Sequence, residues 1–241
     1  MAPTAVAFDL YGTLLSTESI ARHLASLYGE DAARSIAAQA RRYQLEYTWR
    51  INSMGAYRPF SDLTRWSFRQ ATAEAGVQLT PEQEERIMDA YNGLDAFPDV
   101  GEALALLAKT PALDPYVFSN GTLSMITSSL ETSPSLARAS DVLPPAKVVS
   151  VDPLGVFKPD PRTYEHMAKA AGLEGQPERL WLVSSNPFDA AGAVAAGLKS
   201  VWVDRAGKGW VDGLGGAMDI KPTAIAKGVD EAVGQILCLS G

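Results

Sequence analysis

Cysteine is all but missing from this chain: its 241 residues hold one, Cys238, which excludes an internal disulfide and a cysteine-ligated metal cluster. Cys238 itself reads as a small apolar residue. Histidine is scarce as well, with only His23 and His166. Neither sits in a nucleophile-elbow context and no G-x-S-x-G occurs, which argues against a serine hydrolase or a histidine-assisted enzyme of the α/β-hydrolase type. Both histidines read as structural or solvated. No apolar run approaches the roughly 20 residues of a membrane span. The N-terminus lacks a basic segment followed by an apolar core, so the expectation is a cytoplasmic protein. Positive charge is in deficit, with 21 Lys and Arg against 28 Asp and Glu for a net charge of −7. That balance disfavours nucleic acid or an anionic membrane as a partner. An anionic substrate would have to be held by a few local cations.

What is there is a globular composition, 46% apolar and 20% charged, enough to bury a sizeable core. The apolar run Ala5, Val6, Ala7, Phe8 reads as a buried strand. After it, residues 17–92 show helical periodicity without a convincing strand, with helices expected over 19–27, 31–50, 62–75 and 81–91. Beyond Phe97-Pro98 helix and strand alternate: helix 100–109, strand 115–119, helix 123–130, strand 147–151, helix 161–171, strand 180–184, helix 187–196, strand 200–203 and a last helix near 230–237. Such alternation implies an α/β fold, a Rossmann-like parallel sheet with helices on both faces. The expected division is an α/β core domain of residues 1–16 and 98–241, with a helical domain of residues 17–97 inserted after the first strand. The glycine-rich patch 206–217 reads as a surface loop.

Polar residues recur where the expected strands end. Asp9 follows the first, Ser119-Asn120-Gly121 the second, Lys158-Pro159-Asp160 the third, and Ser184-Ser185-Asn186 the fourth, with Asp189 just beyond. In a parallel sheet these ends face one crevice. Two carboxylates, one ammonium and several hydroxyl and amide groups would converge there.

Five segments, FDLYGTL, RRYQLEYTW, FSNGT, SVDPLGVFKPDPRTYE and SSNPFDAAGA, follow in this order. Together they resemble the haloacid dehalogenase superfamily, and within it the L-2-haloacid dehalogenases, over nearly the whole chain. The resemblance implies that family's fold, with the helical insert as a cap. It implies hydrolysis of short L-2-haloalkanoic acids to D-2-hydroxy acids with inversion: Asp9 attacks the carbon that carries the halide, and water then cleaves the aspartyl ester. By the resemblance, Asp189 helps activate that water, Ser184 and Asn186 position the groups around Lys158 and Asp9, Thr13 holds the Asp9 carboxylate, and Tyr164 steadies the carboxylate network. Ser119 and the backbone amides of Leu10 and Tyr11 would bind the substrate carboxylate. Arg41 and Asn120 would receive the halide. Tyr11, Leu45, Phe60 and Phe188 would line the pocket, whose width and hydrophobicity the resemblance leaves open because Pro187-Phe188 stands where the family often has a small residue followed by Trp. The implied partner is a small 2-haloacid, and two chains pair as a homodimer in many members.

The residues carry an argument of their own. Phosphatases of the superfamily place a second Asp two positions after the nucleophile, as the acid that protonates a leaving alkoxide. Tyr11 occupies that position here, and a halide needs no proton. A hard divalent cation needs several oxygens, carboxylates among them, yet the fourth segment offers Ser184, Ser185, Asn186 and only Asp189. Lys158 can supply the positive charge instead. The expectation is therefore no metal and no cofactor. The alternative within the same fold is a magnesium-dependent small-molecule phosphatase, which would need a substitute for the missing Asp.

Overall fold

A computed structural model describes residues 3–240; residues 1, 2 and 241, which belong to the expected core domain, lie outside the described residues. Six parallel strands form one sheet in the order β3-β2-β1-β4-β5-β6. They are β1 (Thr4–Phe8), β2 (Leu113–Ser119), β3 (Val148–Ser150), β4 (Leu180–Ser184), β5 (Lys199–Val203) and β6 (Ala224–Ala226). Val6, Ala7, Val117, Phe118, Leu182 and Val183 are sealed from solvent, as a parallel sheet requires when helices cover both faces. β1 pairs with β2 on one side and β4 on the other, so the winding reverses between β1 and β4. A crevice opens at the strand carboxyl ends where the winding reverses. Asp9 leaves β1, and Ser185 leaves β4, at that crevice.

β2 begins at Leu113, two residues before the expected start at Pro115. β3 pairs with β2 only from Val117 onward, so the proline, which has no N–H to give, lies beside an open flank of the sheet.

Helices α1 (Ile20–Tyr28), α2 (Glu30–Met54), α3 (Phe60–Glu74) and α4 (Pro81–Asn92) follow β1 in succession. The 25-residue α2 starts with Glu30 and Asp31, whose charge suits a helix N-terminus, and stops at Gly55, which takes a left-handed φ of 60°. α4 starts in a capping box between Thr80 and Gln83 with Pro81 in the first turn. The chain leaves the sheet and returns to it through neighbouring extended segments: the Ser16 amide donates to the Asp95 carbonyl at 2.8 Å, and the Phe97 amide to the Leu14 carbonyl at 3.1 Å. Thereafter α5 (Val100–Leu107), α6 (Leu123–Thr132), α7 (Pro134–Ala137), α8 (Pro161–Ala170), α9 (Pro187–Ala195), α10 (Gly213–Ala217) and α11 (Val229–Ser240) accompany the strands.

Three readings of the sequence need correction. The three-residue β6 and four-residue α7 are too short to show a period. The expected loop 206–217 contains α10, because the Asp212 carboxylate caps it at the Gly215 amide and Trp210 packs edge-on against Trp202 with ring centroids 5.1 Å apart. Capping and aromatic burial outweigh the poor helix propensity of glycine there. Cys238, read as a small apolar residue, is exposed; the buried face of α11 is Val229, Ala232, Val233 and Ile236. Among the described residues no helix is long and apolar enough to cross a membrane.

Candidate active site

The Asp9 amide donates to the Val183 carbonyl at 3.0 Å, which carries Asp9 just past the end of the central strand, where it is 7% exposed. The turn that follows closes on the Leu10 carbonyl, acceptor for the amides of Thr13, Leu14 and Leu15. Gly12 takes φ +93° in it, a region open to glycine and strained for other residues. The turn brings the Thr13 hydroxyl back to donate to Asp9 Oδ2 at 2.8 Å, while its oxygen accepts the Ser185 amide at 2.9 Å. Asn186 Nδ2 donates to the same Oδ2 at 2.8 Å and to the Tyr11 carbonyl at 3.1 Å.

Lys158 faces the other carboxylate oxygen and is 1% exposed. Its ammonium donates to Asp9 Oδ1 at 3.1 Å, Asp189 Oδ2 at 2.9 Å and the Phe118 carbonyl at 2.8 Å. Three protons meet three acceptors, so the buried charge is fully paired. Asp189 lies in the first turn of α9 and is sealed from solvent. Burial pushes its carboxyl above the usual range; Lys158 pulls it back and the negative Asp9 pushes it up again. The Tyr164 hydroxyl donates to Asp189 Oδ1 at 2.9 Å. Burial, reinforced by Asp189, holds that phenol well above its ordinary value, so it serves as a donor. Gly192 on α9 makes this approach possible, since a Cβ there would lie 2.5 Å from the Tyr164 oxygen.

The opposite wall comes from α2. Arg41 donates to the Tyr11 carbonyl at 2.9 Å, to Asn186 Oδ1 at 3.1 Å and to Gln44 Oε1 at 2.8 Å. Gln44 also donates to the Thr64 hydroxyl and accepts from the Tyr91 hydroxyl. Thr48, on the same face of the helix, turns its hydroxyl back to the Leu45 carbonyl. Between the walls is a narrow, partly open space of about 10 Å³, bounded by Asp9, Tyr11, Arg41, Leu45 and Phe60 and by Ser119, Asn120, Asn186 and Phe188. The Tyr11 ring stacks on Phe60 at 5.8 Å and meets Tyr91 at 5.4 Å. Burial raises its phenol far above the usual range, so Tyr11 stays neutral. Wider clefts of about 670 and 550 Å³ lie against α8 and between α1 and α2; neither gathers a comparable network.

Of the residues singled out from the sequence, Asp9, Thr13, Lys158, Asn186, Asp189 and Tyr164 form one hydrogen-bonded network, joined by Arg41 through Asn186. Ser119 and Asn120 reach this space while serving backbone: Ser119 Oγ accepts the Gly121 amide at 3.1 Å, and Asn120 Oδ1 accepts the Lys158 amide at 2.9 Å. Ser184 makes no hydrogen bond to Asp9 or Lys158; its hydroxyl accepts the Asn186 amide at 3.1 Å. The Leu10 side chain is in the core, leaving only its backbone for the site. Leu45 of α2 and Phe188 of α9 both line the space, and Trp49 meets Phe188 edge-on at 5.5 Å.

The sequence reading missed Gln44, Asn52, Asp99 and Arg205. Arg205 grips Asp99 with Nε and Nη2, at 2.9 and 2.7 Å, and also donates to the Ser185 hydroxyl and the Thr13 carbonyl. Burial raises the Asp99 carboxyl, yet Arg205 and the Val229 amide more than offset it and hold Asp99 below the usual range. Arg205 follows β5 closely, so the strand-end rule carried one strand further points to it. Gln44 is three residues from Arg41 on one helix face.

Among the described residues no group of three or more His, Cys, Asp or Glu side chains is placed to hold a metal ion. Between Asp9 and Asp189, where a cation would balance two carboxylates, stands the Lys158 ammonium.

A carboxylate at the tip of the central strand of a wound parallel sheet, met by a lysine from the loop after the third strand and an aspartate from the helix after the fourth, defines a class of hydrolases. Residues 3–197 match the model of the haloacid dehalogenase-like hydrolases, and the chain belongs to that family. It is 34% identical over 224 residues to the (S)-2-haloacid dehalogenase of Pseudomonas fluorescens, covering 93% of this chain and 92% of that one. Its identity to the (S)-2-haloacid dehalogenase of Pseudomonas putida is 33% over 227 residues, or 94% and 93% of the two chains. The solved structure of the L-2-haloacid dehalogenase from Xanthobacter autotrophicus with chloropropionic acid covalently bound covers 98% of both chains, with a TM-score of 0.83 at 27% identity. Fold and family are those implied by the five segments.

Proposed function

We propose that this protein is an (S)-2-haloacid dehalogenase that works through an ester on Asp9, with residues 17–97 as a cap over the α/β core. The observation that carries this reading is the pairing of Asp9 with Lys158 where Tyr11, neutral and packed against Phe60 and Tyr91, takes the place of a second acid. A phosphate ester needs that acid; a carbon-halide bond does not.

In the first step an Asp9 oxygen attacks the halide-bearing carbon from the side opposite the halide, inverting it and forming the ester. Ser119 and the amides of Leu10 and Tyr11, which find no acceptor among the described residues, receive the substrate carboxylate. Arg41 and Asn120 take up the halide, and Leu45, Phe60 and Phe188 enclose the carbon chain. In the second step Asp189 accepts a proton from water as it attacks the ester carbonyl; the ester C–O bond then breaks, the 2-hydroxy acid oxygen takes that proton as it leaves, and Lys158 compensates the charge of the regenerated Asp9 carboxylate. Thr13 and Asn186, the latter set by Ser184, keep the Asp9 carboxylate aimed. No metal or cofactor enters this scheme.

The test is halide release from each enantiomer of 2-chloropropionate with a chelator present. Chloride from the (S) enantiomer alone, with the (R)-2-hydroxy acid as product, is expected. Magnesium-dependent phosphate release without halide would replace this reading with the phosphatase.

The pH profile provides a second check. Asp189 must be ionised to take the proton, and its raised affinity for protons places the acid limb of turnover above the ordinary carboxylate value of about 4. The Tyr164 hydrogen bond opposes that rise, so Tyr164→Phe moves the acid limb to still higher pH. An unmoved limb would take Asp189 out of the ester hydrolysis.

A further inference from the structure

Asn52 lies in the last turns of α2, on the helix that carries Arg41 and Leu45. Its carboxamide reaches across to a single residue 105 positions away. Oδ1 accepts the Phe157 amide at 3.0 Å, and Nδ2 donates to the Phe157 carbonyl at 2.7 Å. Two bonds from one planar group to one peptide residue fix its place and its tilt, as a strand partner would. The Phe157 ring is held from the same side, 5.5 Å from the Tyr57 ring and 6.0 Å from that of Phe60. Phe60 in turn stacks on Tyr11.

The next residue is Lys158. Its amide is tied to Asn120, and its side chain runs through the core to Asp9 and Asp189. A buried chain with no slack carries any shift of its backbone to its end. The space above Asp9, about 10 Å³, holds little more than one water-sized group, so a haloacid fits there only as the α2 side and the strand-end side give way. Asn52 spans that division at the residue before the lysine.

We propose that Asn52 is a positioning residue that sets Lys158 against Asp9 and makes that placement depend on α2 being seated over the substrate. The inference rests on the dehalogenase reading given above. With α2 seated, both amide bonds hold Phe157 and the ammonium meets both carboxylates. With α2 displaced, the bonds break or drag Phe157 along, and Lys158 loses its register.

Asn52→Ala and Asn52→Asp test this; the second keeps the acceptor for the Phe157 amide and sets a carboxylate against the Phe157 carbonyl. Expected for both is a fall of about tenfold to a hundredfold in kcat, the scale of a 1 Å misplacement, with KM within about threefold. Asn52→Asp is expected to fall at least as far as Asn52→Ala. Amide exchange at 157–160 supplies a readout without turnover: D-lactate, the product, slows exchange in the unsubstituted protein and leaves it unchanged in Asn52→Ala. Unchanged kcat well below the melting temperature, or a change confined to KM, would overturn the proposal, as would equal protection in both proteins. Absence of halide release from the unsubstituted protein would instead overturn the dehalogenase reading, while faster ligand-free exchange at Phe157 and Lys158 in Asn52→Ala than in the unsubstituted protein would still report the tether.

Discussion

Asp9→Asn releases no halide above background, a loss of at least about 10⁴-fold, the scale seen when an enzyme loses its nucleophile. A carboxamide keeps the shape of the side chain and its contacts with Thr13 and Asn186 but has no charge with which to displace a halide. The fold survives, because Lys158 retains Asp189 and the Phe118 carbonyl as acceptors, and thermal unfolding checks this. A single turnover in ¹⁸O-water separates the ester route from direct attack by water. The label goes into the Asp9 carboxylate of the unsubstituted protein if water cleaves an ester at that carbonyl. Label in the released hydroxy acid alone after one turnover would remove Asp9 as nucleophile.

Lys158→Met has the largest expected effect on stability. Methionine fills the volume, but two buried carboxylates and one carbonyl lose their common donor. Removing one partner of a buried ion pair costs about 3–5 kcal/mol, and with Lys158 1% exposed solvent does little to soften this. Asp189 already binds protons more readily than usual because it is buried; without the ammonium that tendency grows. A carboxyl raised in the folded state contributes stability in acid that is lost as pH rises through its folded value. The deficit of Lys158→Met is therefore greatest at neutral and alkaline pH and shrinks as the solution is acidified. Urea unfolding at several pH values reads this slope. A pH-independent deficit would mean the two carboxylates do not share the lysine. Halide release falls by about 10²–10³-fold as well, the scale of losing one preorganised charge partner.

How much of this was legible beforehand follows from the reach of each signal. Asp9, Lys158, Asn186 and Asp189 follow strands, and a parallel sheet gathers such positions whatever the side chains between them. The insertion of helices between β1 and β2 was readable from periodicity for the same reason. Asn52, Gln44 and Arg205 were not. Their partners are the Phe157 backbone, Thr64 with Tyr91, and Asp99 with Thr13; a helical period says which way a side chain faces and nothing about what lies opposite. Ser184 shows the same limit at short range, since the strand-end rule brings it to the crevice but its hydroxyl turns to the Asn186 amide. β6 and α10 depend on neighbouring residues, Trp202 and the edge of β5, more than on their own composition.

The extended segments at Ser16 and Asp95, hydrogen-bonded side by side, bear on how such a protein changes over generations. A loop whose ends already meet can be lengthened at an entropic cost that grows only with the logarithm of its length, and the strand pairing of the sheet does not run through what lies between those ends. Helices α1 to α4 can therefore vary in length and sequence while the backbone of the turn after Asp9 is kept, so long as the few contacts that reach it, those of Arg41 and Asn52 foremost, are kept with it. Most positions of the insert are then free to vary without cost to the sheet, and the few that touch the strand ends are the ones through which a change in the insert would be felt at Asp9.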